Sequence, residues 1–500
     1  METLSSVVSG FSVVLQPANL LFCFVGVFVG TLIGVLPGIG PLGAIALLLP
    51  STFYISPASA LIMLAGIYYG AMYGGSTTSI LVNIPGEAAS VVTCIDGYQM
   101  AKQGRAGPAL GIAAFGSFIA GTISVLLLSF LAPPLARLAL KFGPPEYFSL
   151  MILGLTILVY LANGPIIKAL MMAAFGLILG IVGTDIITGR ARFTFGIIEL
   201  NDGIGIIPVV MGLFGISEVL FNVEKIIKRE VTKTRIRGLF PNLQDWKNSI
   251  GPIFRGTFLG FFLGILPGGG AVISSFASYA IEKKMSKHPE KFGTGAIEGV
   301  AGPESANNSA TGGSFIPLLT LGVPTNGVMA LMLGALVLHG LQPGPLLMKE
   351  QPGLFWGTIT SMYLGNVMLL ILNLPLIGLW VQVLRIPYPI LFPLILLFCL
   401  IGVFSVNNSV AEIWFMILFG IAGYLMKKFE YEMAPLVLAL IMGPMFENAL
   451  RQSLIIFEGD PIVFLTRPIS AAFLIVSCSL LLSTMLPWLK GKRKLLSDGD

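Results

Sequence analysis

Proline and glycine interrupt two apolar stretches of this sequence at related places. Residues 36–40 read Leu-Pro-Gly-Ile-Gly, and residues 266–270 read Leu-Pro-Gly-Gly-Gly. Proline cannot continue a regular helix, so each motif frees backbone groups that a lipid cannot satisfy. Paired breaks of this kind are typical of binding sites between half-helices. A kinked helix with close glycine packing is the alternative interpretation of either motif alone.

Two polar runs follow these motifs along the chain. Residues 73–79 read Tyr-Gly-Gly-Ser-Thr-Thr-Ser, and residues 304–314 read Glu-Ser-Ala-Asn-Asn-Ser-Ala-Thr-Gly-Gly-Ser. Hydroxyls and amides beside glycines can cap half-helix ends, whose N-terminal N–H groups and dipoles attract a carboxylate. The same side-chain oxygens, together with the free carbonyls, could hold Na⁺. Helix packing through small residues is the alternative for either run.

Acidic side chains inside a membrane are candidate ion or proton sites. Glu87 follows the Pro-Gly pair at residues 85–86, and Glu304 opens the second polar run. Either side chain could instead lie at the membrane interface. We interpret Asp96, Asp185 and Glu218 as loop ends or paired structural groups. The sequence holds no Gly-x4-Gly-Lys-Ser/Thr loop and no legible catalytic constellation or metal cluster, so we do not expect an enzyme.

The motifs yield two sets of candidate residues. The substrate-binding candidates are Pro37, Gly38, Gly40, Gly74, Gly75, Ser76, Thr77, Asn83, Pro267, Gly268, Gly270, Asn307, Asn308, Ser309, Gly312, Gly313 and Ser314. The cation-coupling candidates are Glu87, Glu304, Thr325 and Asn326. We expect no catalytic residue, no metal ligand and no cofactor other than a coupled Na⁺ or H⁺.

The composition requires that these residues be positioned within a membrane. Of the 500 residues, 55% are hydrophobic and 11% are charged, whereas a soluble domain carries about 25% charged residues. The mean hydropathy is +0.90. Apolar segments long enough to cross a bilayer recur along the chain, for example at residues 20–49 and 253–281. We predict an all-α polytopic membrane protein with about 12 transmembrane helices.

Charge predicts the sidedness of the chain. Residues 223–249 carry seven Lys or Arg residues, and four more lie in residues 490–494. The positive-inside rule makes both segments cytoplasmic, while the N-terminal tail, which has no basic residue, is better placed outside. The first half then makes an odd number of crossings. The basic pairs near residues 190–192 and 427–428 do not agree with a single assignment.

The two halves are related to each other. Gly30-x3-Gly34 before the first Leu-Pro-Gly motif recurs as Gly260-x3-Gly264 before the second. Gly-Gly-Ser at 74–76 with Ile-Pro-Gly at 84–86 recurs as Gly-Gly-Ser at 312–314 with Val-Pro-Thr at 323–325, and Ser117-x3-Gly121 recurs weakly as Ser361-x3-Gly365. An odd-crossing unit followed by its copy gives two inverted repeats with broken or re-entrant helices. The predicted units are residues 1–222, a basic cytoplasmic linker at 223–250, residues 251–451, and an extra C-terminal helix with a basic tail at 452–500.

The chain resembles the large permease subunit of tripartite tricarboxylate transporters. The resemblance rests on residues 34–41, on residues 301–310, and on the Gly-Gly-Ser-Phe-Ile-Pro and Leu-Gly-Val-Pro segments at 312–317 and 321–324. It implies a multi-pass protein of the bacterial inner membrane that works with a small four-helix membrane subunit and a periplasmic solute-binding protein. It also implies uptake of tricarboxylates or related carboxylates by cation symport. A stand-alone secondary transporter, or a channel for another small solute, is the alternative.

Overall fold

The computed structural model describes residues 2–36, 40–160, 165–185, 187–224, 238–268, 270–384 and 388–485. In the first half the helices are α1 (Glu2–Val14), α2 (Pro17–Val35), α3 (Gly40–Leu48), α4 (Pro57–Val82), α5 (Val91–Lys102), α6 (Ala106–Ala139), α7 (Pro144–Tyr160), α8 (Ile166–Gly180), α9 (Ile206–Val210) and α10 (Ser217–Glu224). A π-helical turn, Met211–Ile216, joins α9 to α10. A short antiparallel pair, β1 (Gly183–Thr184) and β2 (Ala191–Arg192), lies between α8 and α9.

The second half is built in the same way. Its helices are α11 (Leu243–Ile265), α12 (Gly270–Met285), α13 (Glu298–Leu321), α14 (Gly327–Leu338), α15 (Pro345–Glu350), α16 (Pro352–Asn373), α17 (Ile377–Val383), α18 (Tyr388–Asn407), α19 (Val410–Lys428), α20 (Ala434–Ile456), α21 (Val463–Thr466) and α22 (Pro468–Met485). Within the described ranges, five helices are long and apolar enough to cross a membrane, and six apolar helices are shorter. The all-α polytopic prediction is confirmed, whereas a count of 12 spans stays a prediction.

A parallel pair of helices with a return helix forms the centre of the first half. Glycines of α2 lie directly on the backbone of α4, in the successive pairs Gly26 on Met63, Gly30 on Ile67 and Gly34 on Ala71. Because both numbers rise together, the two helices run in the same direction. The Ser59 hydroxyl donates to Asn19 Oδ1 at 2.6 Å, which joins the starts of α2 and α4. The chain therefore turns back through α3, so α2 and α3 form a hairpin; residues 37–39 of its connection, the first tip, lie outside the described ranges.

The second half repeats this unit. Gly256, Gly260 and Gly264 of α11 lie on the backbone of Gly302, Ala306 and Ala310 of α13, again in parallel. Arg255 of α11 forms a bidentate ion pair with Glu282 of α12, at 2.9 and 2.5 Å. These residues lie about equally far along the chain from the connection between the two helices, the second tip, so α11 and α12 form an antiparallel hairpin. The apolar segments 20–49 and 253–281 thus each hold two helices that turn back, not one continuous span.

Helix breaks follow α4 and α13. Asn83 and Gly322 end these helices in the left-handed region, with φ of 56° and 69°. Gly74 of α4 packs on α2, and Gly313 of α13 packs on α11. Each lies on the equivalent backbone oxygen of the helix that it faces, so the two glycines occupy equivalent positions in the two halves. This structural alignment of the two halves is shifted by one residue from the alignment of their Gly-Gly-Ser motifs in the sequence. It also pairs Asn83 with Gly322 as the residues that start the two breaks.

The central helices of the two halves cross between the halves. Helix α13 packs extensively against α6 of the first half, and α4 packs against α16 of the second half. Along α4, Ser76 contacts Glu304, whereas Tyr68 lies within reach of Thr311 and Ser314. Because one number falls as the other rises, α4 and α13 run in opposite directions. Nearly all residues of both helices are buried.

Three of the basic residues whose charges conflict in the sequence, Arg192, Lys427 and Lys428, form ion pairs. Lys427 and Lys428 pair with Glu218 and Glu224 of α10, which ends directly before the basic linker, so they lie at the linker end of the bundle. Arg192 lies after α8, at the opposite end, and bonds Glu447 at 2.7 and 3.2 Å. The charge of this opposite-end arginine is neutralised. The interpretation of Glu218 as a paired structural group is confirmed.

A second ion pair fixes the β1–β2 connection to α20. Arg451 bonds both oxygens of Asp185, at 3.0 and 2.8 Å. The Arg451 guanidinium, together with backbone N–H groups, holds the pKa of the Asp185 carboxyl well below its usual range. Asp185 is thus a paired structural group, as the sequence predicts. The predicted domain boundaries stay predictions, because residues 225–237 and 486–500 lie outside the described ranges.

Candidate functional site

Glu304 joins the two halves of the protein. It lies on α13, is 0% exposed, and accepts hydrogen bonds from two residues of the first half. The Ser76 hydroxyl of α4 donates to Oε2 at 2.6 Å, and the Thr93 hydroxyl of α5 donates to Oε1. Across the described part of the chain, Glu304 forms no ion pair with a basic side chain. A buried charge without such a partner is costly, so this carboxyl needs a proton or a bound cation.

Asn308 extends this network by one helical turn. Its Nδ2 donates to the Ser117 hydroxyl of α6 at 2.7 Å and to the Glu304 carbonyl at 3.0 Å. Its Oδ1 is buried and has no hydrogen-bond partner among the described residues, and neither amide atom of Asn307 has one. Buried amides are normally bonded, so these orphaned groups indicate a site for a ligand, an ion or water.

A small cavity lies beside this network. It is lined by Tyr73, Ser76, Thr77, Leu110, Ala113, Ala114, Ser117 and Asn373, and it has room for about one water-sized molecule. Pockets for small organic molecules are much larger, about 300–1,000 Å³. In this conformation the cavity is therefore too small for a tricarboxylate.

The second hairpin tip meets the second helix break. The Gly268 N–H donates to the Thr325 carbonyl at 2.7 Å, and Thr325 is buried. Asn326 caps α14 by accepting from the Met329 N–H at 3.0 Å, while its Nδ2 donates to the Tyr68 hydroxyl of α4 at 3.1 Å. The second hairpin tip and the second helix break thus lie next to each other, and the break also contacts α4 of the first half.

The first helix break has the same design. Glu87 occupies the position equivalent to Asn326 and accepts from the Ala89 N–H at 2.5 Å, capping the turn before α5. Its other oxygen is buried without a partner in the described structure. Gly86 lies on the Gly34 backbone, and Gly75 lies against the Glu87 side chain. Asn83 starts this break and is exposed.

Four of the predicted substrate residues pack helices instead of facing this network. Gly74 and Gly313 lie on α2 and α11, Gly312 lies against Ser124 of α6, and the Ser309 hydroxyl donates to the Thr257 carbonyl at 2.7 Å. These contacts match the small-residue packing that the sequence left open as an alternative. These four residues therefore stabilise the packing of the helices that surround the network.

The remaining candidates lie at the tips or near α4. Gly40 and Gly270 begin the return helices with positive φ, of 64° and 41°. Pro267 is partly buried at the second tip, and the Ser314 hydroxyl donates to the Thr311 carbonyl near Tyr68. Pro37 and Gly38 lie outside the described residues.

Several polar residues of the network are not among the sequence-predicted site residues. They are Tyr68, Tyr73, Thr93, Ser117 and Asn373. Two of them had a sequence signal, because Tyr73 opens the first polar run and Ser117 opens the weak Ser-x3-Gly repeat. The others lie on helices whose rotation and neighbours are set by three-dimensional packing.

Asp96 forms a separate contact between the halves at the linker end. Its Oδ1 accepts three backbone N–H groups, from Gly293, Gly295 and Ala296, at 2.8–2.9 Å. Its Oδ2 accepts from the Tyr279 hydroxyl at 2.9 Å. Both oxygens are satisfied, so Asp96 fixes the α12–α13 loop to α5 and is not available to a transported ion.

Comparisons with known proteins agree with this architecture. A family model described as the tripartite tricarboxylate transporter TctA family matches residues 20–438. An uncharacterized 52.8 kDa protein of the TAR-I ttuC' 3' region of Agrobacterium vitis is 54% identical over 493 residues, covering 99% of this chain and 98% of that protein. An uncharacterized protein of the TAR-II ttuC' 3' region of the same organism is 53% identical over 234 residues, covering 47% of this chain and 97% of that protein. No solved structure matches. The chain therefore belongs to the tripartite tricarboxylate transporter TctA family.

Proposed function

We propose that this protein is the large permease subunit of a secondary transporter that takes up tricarboxylates or related carboxylates by cation symport. The observation that carries the proposal is the pair of helix breaks, each beside a hairpin tip, in a chain of a transporter family. Such breaks present helix ends and free backbone groups to a substrate and an ion. The permease acts in the bacterial inner membrane.

The carboxylate binds between the two breaks. Backbone N–H groups and the dipoles at the starts of α5 and α14 attract its negative charge. Asn307, whose amide nitrogen is buried without a partner in the described structure, supplies a side-chain donor. The coupled cation binds beside Glu304, which carries the only acidic group of the second polar run.

Transport follows from an exchange between two states. The small cavity supports a closed conformation here, from which one part of the protein moves to open the site on either side. The two states must bind their ligands with different affinities, because otherwise the ion gradient cannot drive net uptake. A periplasmic solute-binding protein delivers the carboxylate, and a small four-helix membrane subunit completes the complex.

An uptake experiment tests this proposal. Cells express this chain with its small membrane subunit and its binding protein, and they receive a panel of labelled carboxylates under imposed Na⁺ or H⁺ gradients. We expect saturable accumulation that requires the binding protein and one of the gradients. If no carboxylate accumulates although all three chains are present in the membrane, the substrate class is wrong. Non-saturating flux without coupling would indicate a channel.

Two substitutions test the site itself. Asn308→Ala and Ser76→Ala each remove a polar group of the Glu304 network, and we expect uptake to fall at least about tenfold at unchanged membrane abundance. Ser483→Ala removes a hydroxyl that bonds only within α22 and is the matched control. If both variants show wild-type uptake kinetics, Asn308 and Ser76 do not belong to the site.

A further inference from the structure

We propose that the cavity between α4, α6 and α16 binds the coupled cation, and that this cation is Na⁺. The role of the bound ion as the coupled cation rests on the proposed function, whereas the ion-binding site itself is argued from the cavity. Five of the eight lining residues carry a side-chain oxygen: Tyr73, Ser76, Thr77, Ser117 and Asn373. Hard cations prefer oxygen ligands of this neutral kind, and secondary transporters hold Na⁺ with them.

Two of these oxygens have no other partner. The Tyr73 hydroxyl and Asn373 Oδ1 are buried, and neither forms a hydrogen bond within the described residues. The Asn373 amide nitrogen donates to the Leu369 carbonyl at 3.0 Å, which fixes the oxygen as the free acceptor. Buried polar groups without a partner are rare and need a ligand. The Asn373 oxygen can only accept, so a cation satisfies it whereas an anion would not, and the Tyr73 hydroxyl can supply a second oxygen ligand.

The charge of the neighbourhood also favours a cation. Ser76 lines the cavity and donates to Glu304, and Tyr73 lies within electrostatic reach of the same carboxyl. The lining includes no Lys, Arg or His. Glu304 thus supplies one negative charge that no basic side chain of the described structure balances.

The lining of the cavity contains no carboxylate, which favours a monovalent ion. Divalent cations usually take several carboxylate ligands, and no group of three acidic, His or Cys side chains occurs in the described part of the chain. The cavity has room for about one ion or one water molecule and is too small for a tricarboxylate. The lining oxygens come from α4 and α6 of the first half and α16 of the second half. Binding of Na⁺ therefore links the two halves.

The test measures Na⁺ binding without any carboxylate. The purified full-length chain in lipid nanodiscs is heated in NaCl, KCl or choline chloride of equal ionic strength, and ²²Na⁺ binding is measured in parallel. We expect NaCl to raise the unfolding midpoint saturably, because a ligand that binds only the folded state stabilises it. Tyr73→Phe keeps the ring and removes one ligand oxygen, so we expect the apparent Kd for Na⁺ to rise about tenfold.

The controls separate this site from others. Glu304→Gln should abolish the Na⁺ effect, and Ser117→Ala should weaken it. Tyr363→Phe changes a tyrosine of α16 that does not line the cavity, and should retain wild-type Na⁺ binding. If Glu304→Gln does not fold, the comparison of Tyr73→Phe with Tyr363→Phe still decides the result.

Three results would overturn the proposal. Na⁺ could fail to stabilise the wild-type chain, K⁺ could act equally well, or Tyr73→Phe and Ser117→Ala could bind Na⁺ as the wild type does. Stabilisation by acid alone would assign a proton to Glu304 and water to the cavity. Failure of carboxylate uptake with intact Na⁺ binding would refute the proposed function and leave this site standing.

Discussion

Gly30 provides a sharp test of how helix packing positions the first hairpin tip. An added Cβ at Gly30 would lie 2.5 Å from the Ile67 carbonyl oxygen and 2.8 Å from its Cα. Ordinary contact begins at 3.4 Å, so α2 and α4 must separate by 0.9 Å. Overpacking of this kind costs about 1–3 kcal/mol, while alanine regains about 1 kcal/mol of helix preference. We therefore expect Gly30→Ala to lower the free energy of unfolding by as much as about 2 kcal/mol.

The larger effect should appear in transport. Val35, just before the tip, accepts a hydrogen bond from the Thr78 hydroxyl of α4 at 2.9 Å, and a separation of 0.9 Å would break it. Because misplacement by about 1 Å can slow a positioned reaction about 100-fold, we expect uptake to fall at least about tenfold.

The assay compares initial uptake rates at equal membrane abundance, with thermal unfolding of the purified chain. Gly378→Ala is the matched control, since its added Cβ meets nothing within 4 Å; it should be neutral or slightly stabilising. Gly260→Ala repeats the test in the second half. Wild-type stability and uptake in Gly30→Ala would refute the argument that close α2–α4 packing positions the tip.

Three further predictions concern single polar contacts. Thr93→Val removes a donor to Glu304 while keeping the side-chain shape, and uptake should fall at least about tenfold without loss of membrane insertion; unchanged uptake would exclude this contact from the mechanism. Asp96→Asn weakens a charged acceptor of three N–H groups, so the α12–α13 loop should be held less firmly and limited trypsin digestion should cut it faster than in the wild type. Equal cleavage rates would contradict the role of Asp96 in fixing this loop to α5. The Asp185–Arg451 pair should stabilise the protein at all pH values above about 4, the ordinary Asp range, and less as pH falls further, because the folded-state pKa is lowered. Thermal unfolding of Asp185→Asn should therefore show a deficit at neutral pH that narrows in acid, and a deficit that grows in acid would refute the sign.

The sequence predicts where the apolar stretches are interrupted because the cause is local. Proline and glycine at 36–40 and 266–270 disrupt helices whatever surrounds them, and Gly-x3-Gly spacing places glycines on one helix face. The hairpin fold of residues 253–281 could not be read from hydropathy, because two short helices and one long span have the same apolar composition. The Arg255–Glu282 pair, which reveals the hairpin, is only visible once the chain has turned back.

The candidate site was predictable only in part, for a related reason. Glu304 and Asn308 lie in a polar run inside an apolar stretch, which is informative by itself. Asn373 is different, since an isolated asparagine on a helix is ordinary. Its importance depends on α4, α6 and α16 meeting around one cavity. Contacts between distant helices depend on tertiary packing, which no local pattern encodes.

The crossing of the central helices between halves has a consequence for biosynthesis. Helix α4 ends at residue 82, whereas α16, against which it packs, ends at residue 373. At about 5–20 residues per second, the ribosome needs roughly 15–60 s to make the intervening chain. For most of that interval, until residue 304 has been made, Ser76 has no Glu304 to bond, so the nascent first half holds polar groups that lipid cannot satisfy. Assembly in the membrane should therefore wait for the second half, and truncated chains should be targets for quality-control proteases.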